Sequence, residues 1–231
     1  MSIPNYINTC TVYQGKLSCF NELTPKQIEL VESNQVDINY KKGETICKQG
    51  TFASHIMFLK KGLVKVYLEG KPRNLILKII PSNNLIGLPS ILDGTNTFLY
   101  SVSTYTDSEV SLIDINTFKQ LLSKNANFAT KIINILNENT VQIYGRFFCL
   151  TRKQMHGRLA DILLCLSQRV FQNNSFNLAM TRSDLAELTG MSTESVIRIL
   201  KEFKDEKLIS ENGKRFEIKN FEALNKISEL G

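Results

Sequence analysis

The sequence predicts an α+β protein in three segments, divided as residues 1–115, 116–150 and 151–231. Three observations predict it. Glycine recurs at 43, 50, 62, 70, 87 and 94 between short β-rich runs, as in a small double-sheet barrel or jelly roll. Glycine then disappears until Gly145, while the apolar residues take up a helical repeat. Last, residues 181–218 read as two short amphipathic helices around a glycine, followed by a hairpin, which is the pattern of a winged helix-turn-helix.

In the first segment, Thr24 and Pro25 suit the cap and first position of a leading helix over Thr24–Ser33. The runs His55–Leu59, Leu63–Leu68, Leu75–Ile80, Val102–Thr106 and Val110–Ile113 are rich in β-branched residues and read as strands. In the second segment, Leu136, Ile143 and Leu150 repeat at seven, beside a stripe of Ile132, Asn139 and Arg146. The spacing predicts a long helix that packs against its own copy through Ile132, Leu136, Asn139 and Ile143, with Asn139 as a polar register-setter. The alternative is an amphipathic helix packed only on its own barrel.

A helix over Gln154–Phe171 opens the third segment and turns Leu159, Ile162, Leu163 and Leu166 to a core. Leu185, Leu188 and Met191, then Val196, Ile199, Leu200 and Phe203, mark the inner faces of the next two helices. Gly190 falls between them, where a tight turn needs a residue without Cβ. Thr181 with Asp184 fits a capping box, and Ser192 an N-cap. The second helix leaves Thr193, Glu194, Ile197, Arg198 and Lys201 outward, the division a helix needs to lie in a major groove. Glu211-Asn212-Gly213-Lys214 is a two-residue hairpin turn, which puts Lys214 and Arg215 near a wing tip. The candidate phosphate contacts are Thr181, Ser183, Ser192, Lys201 and Lys214.

Composition is permissive rather than decisive. A net charge of +6 suits a polyanionic partner, but residues 151–231 hold only 13 Lys+Arg against 11 Asp+Glu. No apolar run approaches the length of a membrane span and no signal pattern opens the chain, so a cytoplasmic protein without membrane partners is expected. The five cysteines, Cys10, Cys19, Cys47, Cys149 and Cys165, are odd in number and irregular in spacing, and read as free thiols. Cys149 and Cys165 read as small core hydrophobes. No P-loop, HExxH, GxSxG or nucleophile–base pattern is present, so no catalytic residues, no metal site and no enzyme are expected.

A glycine-punctuated barrel, a linking helix and a C-terminal winged helix together resemble the Crp/Fnr (cyclic-AMP receptor protein / fumarate-nitrate regulator) family of bacterial transcription factors. The resemblance runs from about residue 20 to 220 and is most specific in Lys42–Val66 and Thr181–Ile209. It implies a cyclic-nucleotide-binding-like barrel, a homodimer, a palindromic double-stranded DNA site, and contact with RNA polymerase if the protein activates. It also implies that Glu194 and Arg198 read bases, because family members carry a glutamate and, four residues on, an arginine in the recognition helix. Thr193 and Ile197 replace residues that read bases in better-known members, so half-site preference should differ.

The sensor cassette departs from the family pattern. Where cyclic-nucleotide binders carry glycine-glutamate and then arginine-serine, this chain has Gly87-Leu88 and Phe98-Leu99. Without the cationic fork an anionic cyclic nucleotide has no partner, so cyclic-AMP dependence is not expected. Gly87, Leu88, Phe98 and Leu99 line the expected effector pocket, which suits an apolar ligand, still unidentified, or a pocket filled by its own side chains. The cysteine spacing does not match an iron–sulfur member. No cofactor is expected. The alternatives are a haem- or redox-dependent gas sensor of the same family, with His55 as the axial candidate, and a sensor module whose winged helix binds protein.

Overall fold

A computed structural model describes residues 10–12, 19–71 and 73–230. Its backbone divides into two compact units. Among the described residues, one holds 19–69 and 79–140, and the other holds 10–12, 70–71, 73–78 and 141–230.

The first unit is the expected double-sheet barrel. Helix α1 (Pro25–Ser33) starts at Thr24, which forms a capping box with Gln27, with proline in the first turn. Eight strands follow: β1 (Gln35–Tyr40), β2 (Thr45–Cys47), β3 (His55–Lys61), β4 (Leu63–Leu68), β5 (Leu75–Pro81), β6 (Asn84–Ile86), β7 (Ser101–Thr104) and β8 (Ser108–Asp114). They form two four-stranded sheets, β1-β8-β3-β6 and β2-β7-β4-β5. The non-sequential order is what wraps a short-stranded chain into a barrel without long exposed edges. Ile56, Ile113, Phe118, Leu121, Phe128 and Ile132 form one buried cluster under these elements.

The linking segment is two helices rather than one. Helix α2 (Ile115–Lys124) ends at Asn125, whose side chain accepts from the amide of Phe128 and so starts α3 (Ala126–Arg152). A residue able to cap the following turn breaks the helix where periodicity alone shows none.

In the second unit, helix α4 (Met155–Cys165) runs into a wider π turn over Leu166–Phe171, which shortens the α-helix expected to reach Phe171. Then come β9 (Ser175–Asn177), α5 (Arg182–Thr189), α6 (Thr193–Asp205), the hairpin β10 (Ile209–Asn212) and β11 (Arg215–Ile218), and α7 (Phe221–Leu230). The three strands form a sheet in the order β10-β11-β9. One cysteine reading is corrected here: Cys10 and Cys165 are joined as a disulfide, while Cys19, Cys47 and Cys149 are free and buried. Spacing could not reveal a pair separated by 155 residues. Among the described residues no helix is long and apolar enough to cross a membrane, and no cluster of three or more metal-ligating side chains occurs.

Candidate nucleic-acid interface

Helix α6 carries the site, and local chemistry fixes both its ends. The Ser192 hydroxyl accepts from the Ser195 amide at 3.1 Å, satisfying one of the open N–H groups of the first turn. Val196, Ile199, Leu200 and Phe203 are buried, and this apolar back leaves Glu194, Ile197, Arg198 and Lys201 exposed on the other face. Thr193 is half-buried beside them. The five predicted front residues therefore share one end and one side of the helix.

Glu194 and Arg198 stand one turn apart on this front. Arg198 donates instead to Glu202, one turn further on, at 2.8 Å. The other oxygen of Glu202 meets Nε2 of His156 at 2.6 Å. These bonds hold the Glu202 carboxyl below the usual glutamate range, His156 first and Arg198 after it. Glu194 is likewise held low by its own helix amide, the Ser192 hydroxyl and the charge of Arg73. Glu194 and Glu202 thus stay ionised at neutral pH.

Helix α5 orients the reading helix. Thr181 and Asp184 form the reciprocal capping box expected of them, so the Thr181 hydroxyl is already engaged with Asp184. Ser183 is exposed in the first turn of α5. Gly190 ends the helix at φ 63°, a left-handed conformation that suits glycine, and a Cβ there would sit 3.3 Å from Leu150.

Sequence reasoning missed what surrounds this turn. Three carbonyls at and after the end of α5 each receive a guanidinium from a different element. Arg146 of α3 donates to Leu188, Arg158 of α4 donates to Thr189 at 3.0 Å, and Arg73 of the loop before β5 donates to Met191. A helix C-terminus exposes unpaired carbonyls and the negative end of the helix dipole, so three cations there satisfy both. Arg146 is buried at 4% exposure and also donates to the carbonyl of Ile76 at 3.1 Å. No local pattern marks these arginines, because their partners lie far away in sequence.

The wing has the predicted hairpin with its turn displaced by one residue. Asn212 pairs with Arg215, so the two turn residues are Gly213 and Lys214 rather than Asn212 and Gly213. Gly213 takes the first turn position with φ 62°, where a side chain would be strained. Lys214 is exposed at the tip, as expected, and Arg215 binds Ser175 through Nε at 3.1 Å.

The predicted helix seam is placed differently. Ile132 is buried in the barrel cluster at 1% exposure, Leu136 packs against the same cluster, and Asn139 is half-buried. Arg146 of the same stripe faces inward as well. Of the four predicted seam residues only Ile143 is exposed. The outward apolar positions of α3 are Ile133, Val141, Ile143, Tyr144 and Phe147. Ile132 and Arg146 of the repeat thus face the chain's own core, while Ile143 does not.

In the sensor cassette Leu88 and Phe98 are buried and Leu99 is exposed. Gly87 adopts φ 93°, and its amide donates to the Tyr100 hydroxyl at 3.0 Å. A Cβ at Gly87 would lie 3.3 Å from Met57 and 3.6 Å from Phe98. Gly87, Leu88 and Phe98 therefore lie against groups of this chain, while Leu99 faces outward. His55 bonds the Ser54 hydroxyl through Nδ1 at 2.7 Å. A cleft of about 330 Å³ in the same unit is lined by Phe20, Leu23, Val31, Phe58, Lys60 and Ile113 among others.

Comparison with known proteins gives this arrangement relatives. The cyclic nucleotide-binding domain family matches residues 37–125, and the Crp-like helix-turn-helix domain family matches residues 157–227. The fumarate and nitrate reduction regulatory protein of Yersinia pestis is 26% identical over 196 residues, covering 81% of this chain and 76% of its own. The protein of that name from Escherichia coli is 25% identical over 194 residues, with the same coverage of 81% and 76%. Among solved structures, FixK2 from Bradyrhizobium japonicum superposes with a TM-score of 0.74 at 19% identity, covering 84% of this chain and 96% of its own. A CRP-family transcriptional regulator from Thermus thermophilus gives a TM-score of 0.71 at 19% identity, covering 83% and 96%.

Proposed function

The chain belongs to the Crp/Fnr family of transcriptional regulators, with a DNA-binding helix-turn-helix and a sensory barrel, and we propose that it binds a palindromic DNA site as a homodimer. The observation that carries the reading is the two-faced helix α6: an apolar back of Val196, Ile199, Leu200 and Phe203 and a front of Glu194, Ile197, Arg198 and Lys201. In this reading Arg198 takes guanine O6 and N7, Glu194 accepts from a cytosine amine, Ile197 meets a thymine methyl, and Thr193 supports them. Ser183, Lys201 and Lys214, all exposed, are the phosphate contacts this geometry favours. Thr181 and Ser192 would reach phosphate only by sharing hydroxyls that already cap helices.

The dimer face we propose is the exposed line of α3, Ile133, Val141, Tyr144 and Phe147, with Ile143 at its edge. An aromatic and aliphatic row left open on a long helix is the kind of patch that a second copy covers. The functional division we propose keeps 1–115 as sensor, 116–150 as linker and 151–231 as DNA reader. The sensor answers to a signal other than a cyclic nucleotide, a reading supported by Leu88, Phe98 and the Tyr100–Gly87 bond. A protein of this kind is not an enzyme and works in the cytoplasm, with RNA polymerase as partner where it activates.

The test is selection of DNA sites from a random library, followed by titration of wild type and Arg198→Ala. The variant should lose about 1–3 kcal/mol on the selected site and relax discrimination at one base pair of each half-site. Unchanged affinity and sequence preference would remove Arg198 from the reading face.

A further inference from the structure

We propose that Cys10 and Cys165 form a reversible dithiol–disulfide pair that governs how firmly residues 10–12 are held against the DNA-reading unit, and through it the affinity for DNA. The second half of the proposal rests on the DNA-binding reading above.

Residues 10–12 are buried within that unit although they lie far from it in sequence: Cys10, Thr11 and Val12 are 7%, 1% and 1% exposed. Two of its ties run from Cys10. Gln142 of α3 donates to the Cys10 carbonyl at 3.2 Å, and the disulfide anchors Cys10 to Cys165. Cys165 is the last residue of α4, the helix against which α5, α6 and α7 all pack, and it opens the π turn that leads to β9. The bond therefore joins a distant strap to the central helix of the DNA-reading bundle. When it opens, the covalent tie to α4 is lost and non-covalent contacts such as the Gln142 hydrogen bond remain.

A DNA-binding regulator works where the DNA is, in a reducing compartment. Disulfides there are transient and serve redox sensing or catalysis more often than structure. The remaining cysteines do not compete for the role. Burial pushes the Cys19 and Cys47 thiols up to about 12 and Cys149 to about 11, so they stay protonated and unreactive. The chemistry balances with a peroxide as oxidant. Two S–H bonds and the O–O bond break, and one S–S bond and two water molecules form. The two sulfurs supply the two electrons that the peroxide takes up. A dithiol reverses the step by exchange. The crosslink can shift DNA affinity only by the difference in how well it fits the two arrangements of the unit.

The experiment treats the full chain with hydrogen peroxide or dithiothreitol and removes the reagent. Alkylation then counts thiols, a non-reducing peptide map locates any crosslink, hydrogen exchange follows α4, and titration measures affinity for the selected DNA. The expected result is three thiols alkylated in denaturant in place of five, a Cys10–Cys165 peptide, slower exchange in α4, and affinity changed by at least about fivefold. Dithiothreitol should reverse all of it. Cys10→Ser and Cys165→Ser should both abolish the change, and Cys149→Ser should keep it. Since Cys165 is a core position, Cys10→Ser carries the conclusion if Cys165→Ser fails to fold. A map without that peptide, or a crosslinked protein whose DNA affinity stays within about twofold, overturns the proposal. Protein that binds DNA in neither form defeats the functional reading instead, while the peptide map and α4 exchange still judge the strap.

Discussion

Two turns in this molecule use the same backbone device for opposite ends. Gly190 and Gly87 both take left-handed φ, 63° and 93°, at the boundary of a helical element. Around Gly190 the chain gathers charge: Arg146, Arg158 and Arg73 supply donors to the carbonyls of Leu188, Thr189 and Met191. Around Gly87 it gathers apolar and aromatic groups, with Met57 and Phe98 close by and the Tyr100 hydroxyl on the glycine amide. At the first turn the carbonyls that close α5 and lead into α6 are satisfied by side chains from other elements. At the second, the amide and the space beside it are occupied by the protein itself. The difference teaches that a glycine turn shared with a family says where a site is placed, and the groups facing its amide and carbonyls say whether it is open.

The strongest way to break the comparison is to remove the buried member of the charged turn. Arg146→Ala strips donors from the Leu188 and Ile76 carbonyls at once and leaves a void, and it should cost about 2–4 kcal/mol in urea unfolding. Burial already lowers the Arg146 pKa to about 10, which marks how dry its surroundings are. If Arg146→Ala unfolds like wild type, the arginines do not hold the turn and their convergence there is incidental.

A smaller effect is expected at the other turn. Tyr100→Phe keeps the ring but removes the hydroxyl that accepts from the Gly87 amide, so it should cost about 1 kcal/mol. DNA affinity should not change. A gain of affinity for cyclic AMP in this variant, measured by calorimetry, would show that one hydroxyl rather than the missing cationic fork closes the cassette.

How much could be read from residues alone follows the same divide. The helix-turn-helix was legible because its determinants are local: Thr181 with Asp184, Gly190 and Ser192 act within a few residues of themselves, and the apolar faces follow helical spacing. Strands β3, β4, β5, β7 and β8 were legible for the same reason, while the short β2 and β6 and the strand β1 carry no such run. The grip on the turn was not, since Arg146 reaches partners 42 and 70 residues away and Arg73 one 118 residues away. The seam of α3 was misplaced for a related cause. A heptad repeat shows that Ile132, Asn139 and Arg146 share a face, but it cannot show whether a partner or the chain's own core covers that face. The Cys10–Cys165 bond spans still more chain, and the tally of five cysteines gave no sign of it.

The smallest expected effect sharpens the comparison at the reading face itself, where charge is arranged by contacts one turn apart. Glu202 sits between His156 and Arg198, and its carboxyl is held below the usual range chiefly by the His156 bond. A carboxyl whose folded pKa lies below its unfolded value stabilises the fold above the unfolded pKa. That contribution is lost as pH falls through the depressed folded value, so the window lies below about pH 4.5. At neutral pH the contribution is fully present, and because the group is exposed, salt should weaken it. His156→Ala should therefore move the Glu202 titration, followed by carboxyl NMR, back toward the ordinary glutamate range, and should flatten the acid limb of the stability profile slightly. It should also loosen Arg198, whose partner would then be free to choose other rotamers, so discrimination at the arginine-read base pair should fall while salt dependence of DNA binding stays the same. If the Glu202 titration does not move in His156→Ala, the carboxylate is set by Arg198 and the helix alone, and the arginine we propose as base reader is aimed without help from α4.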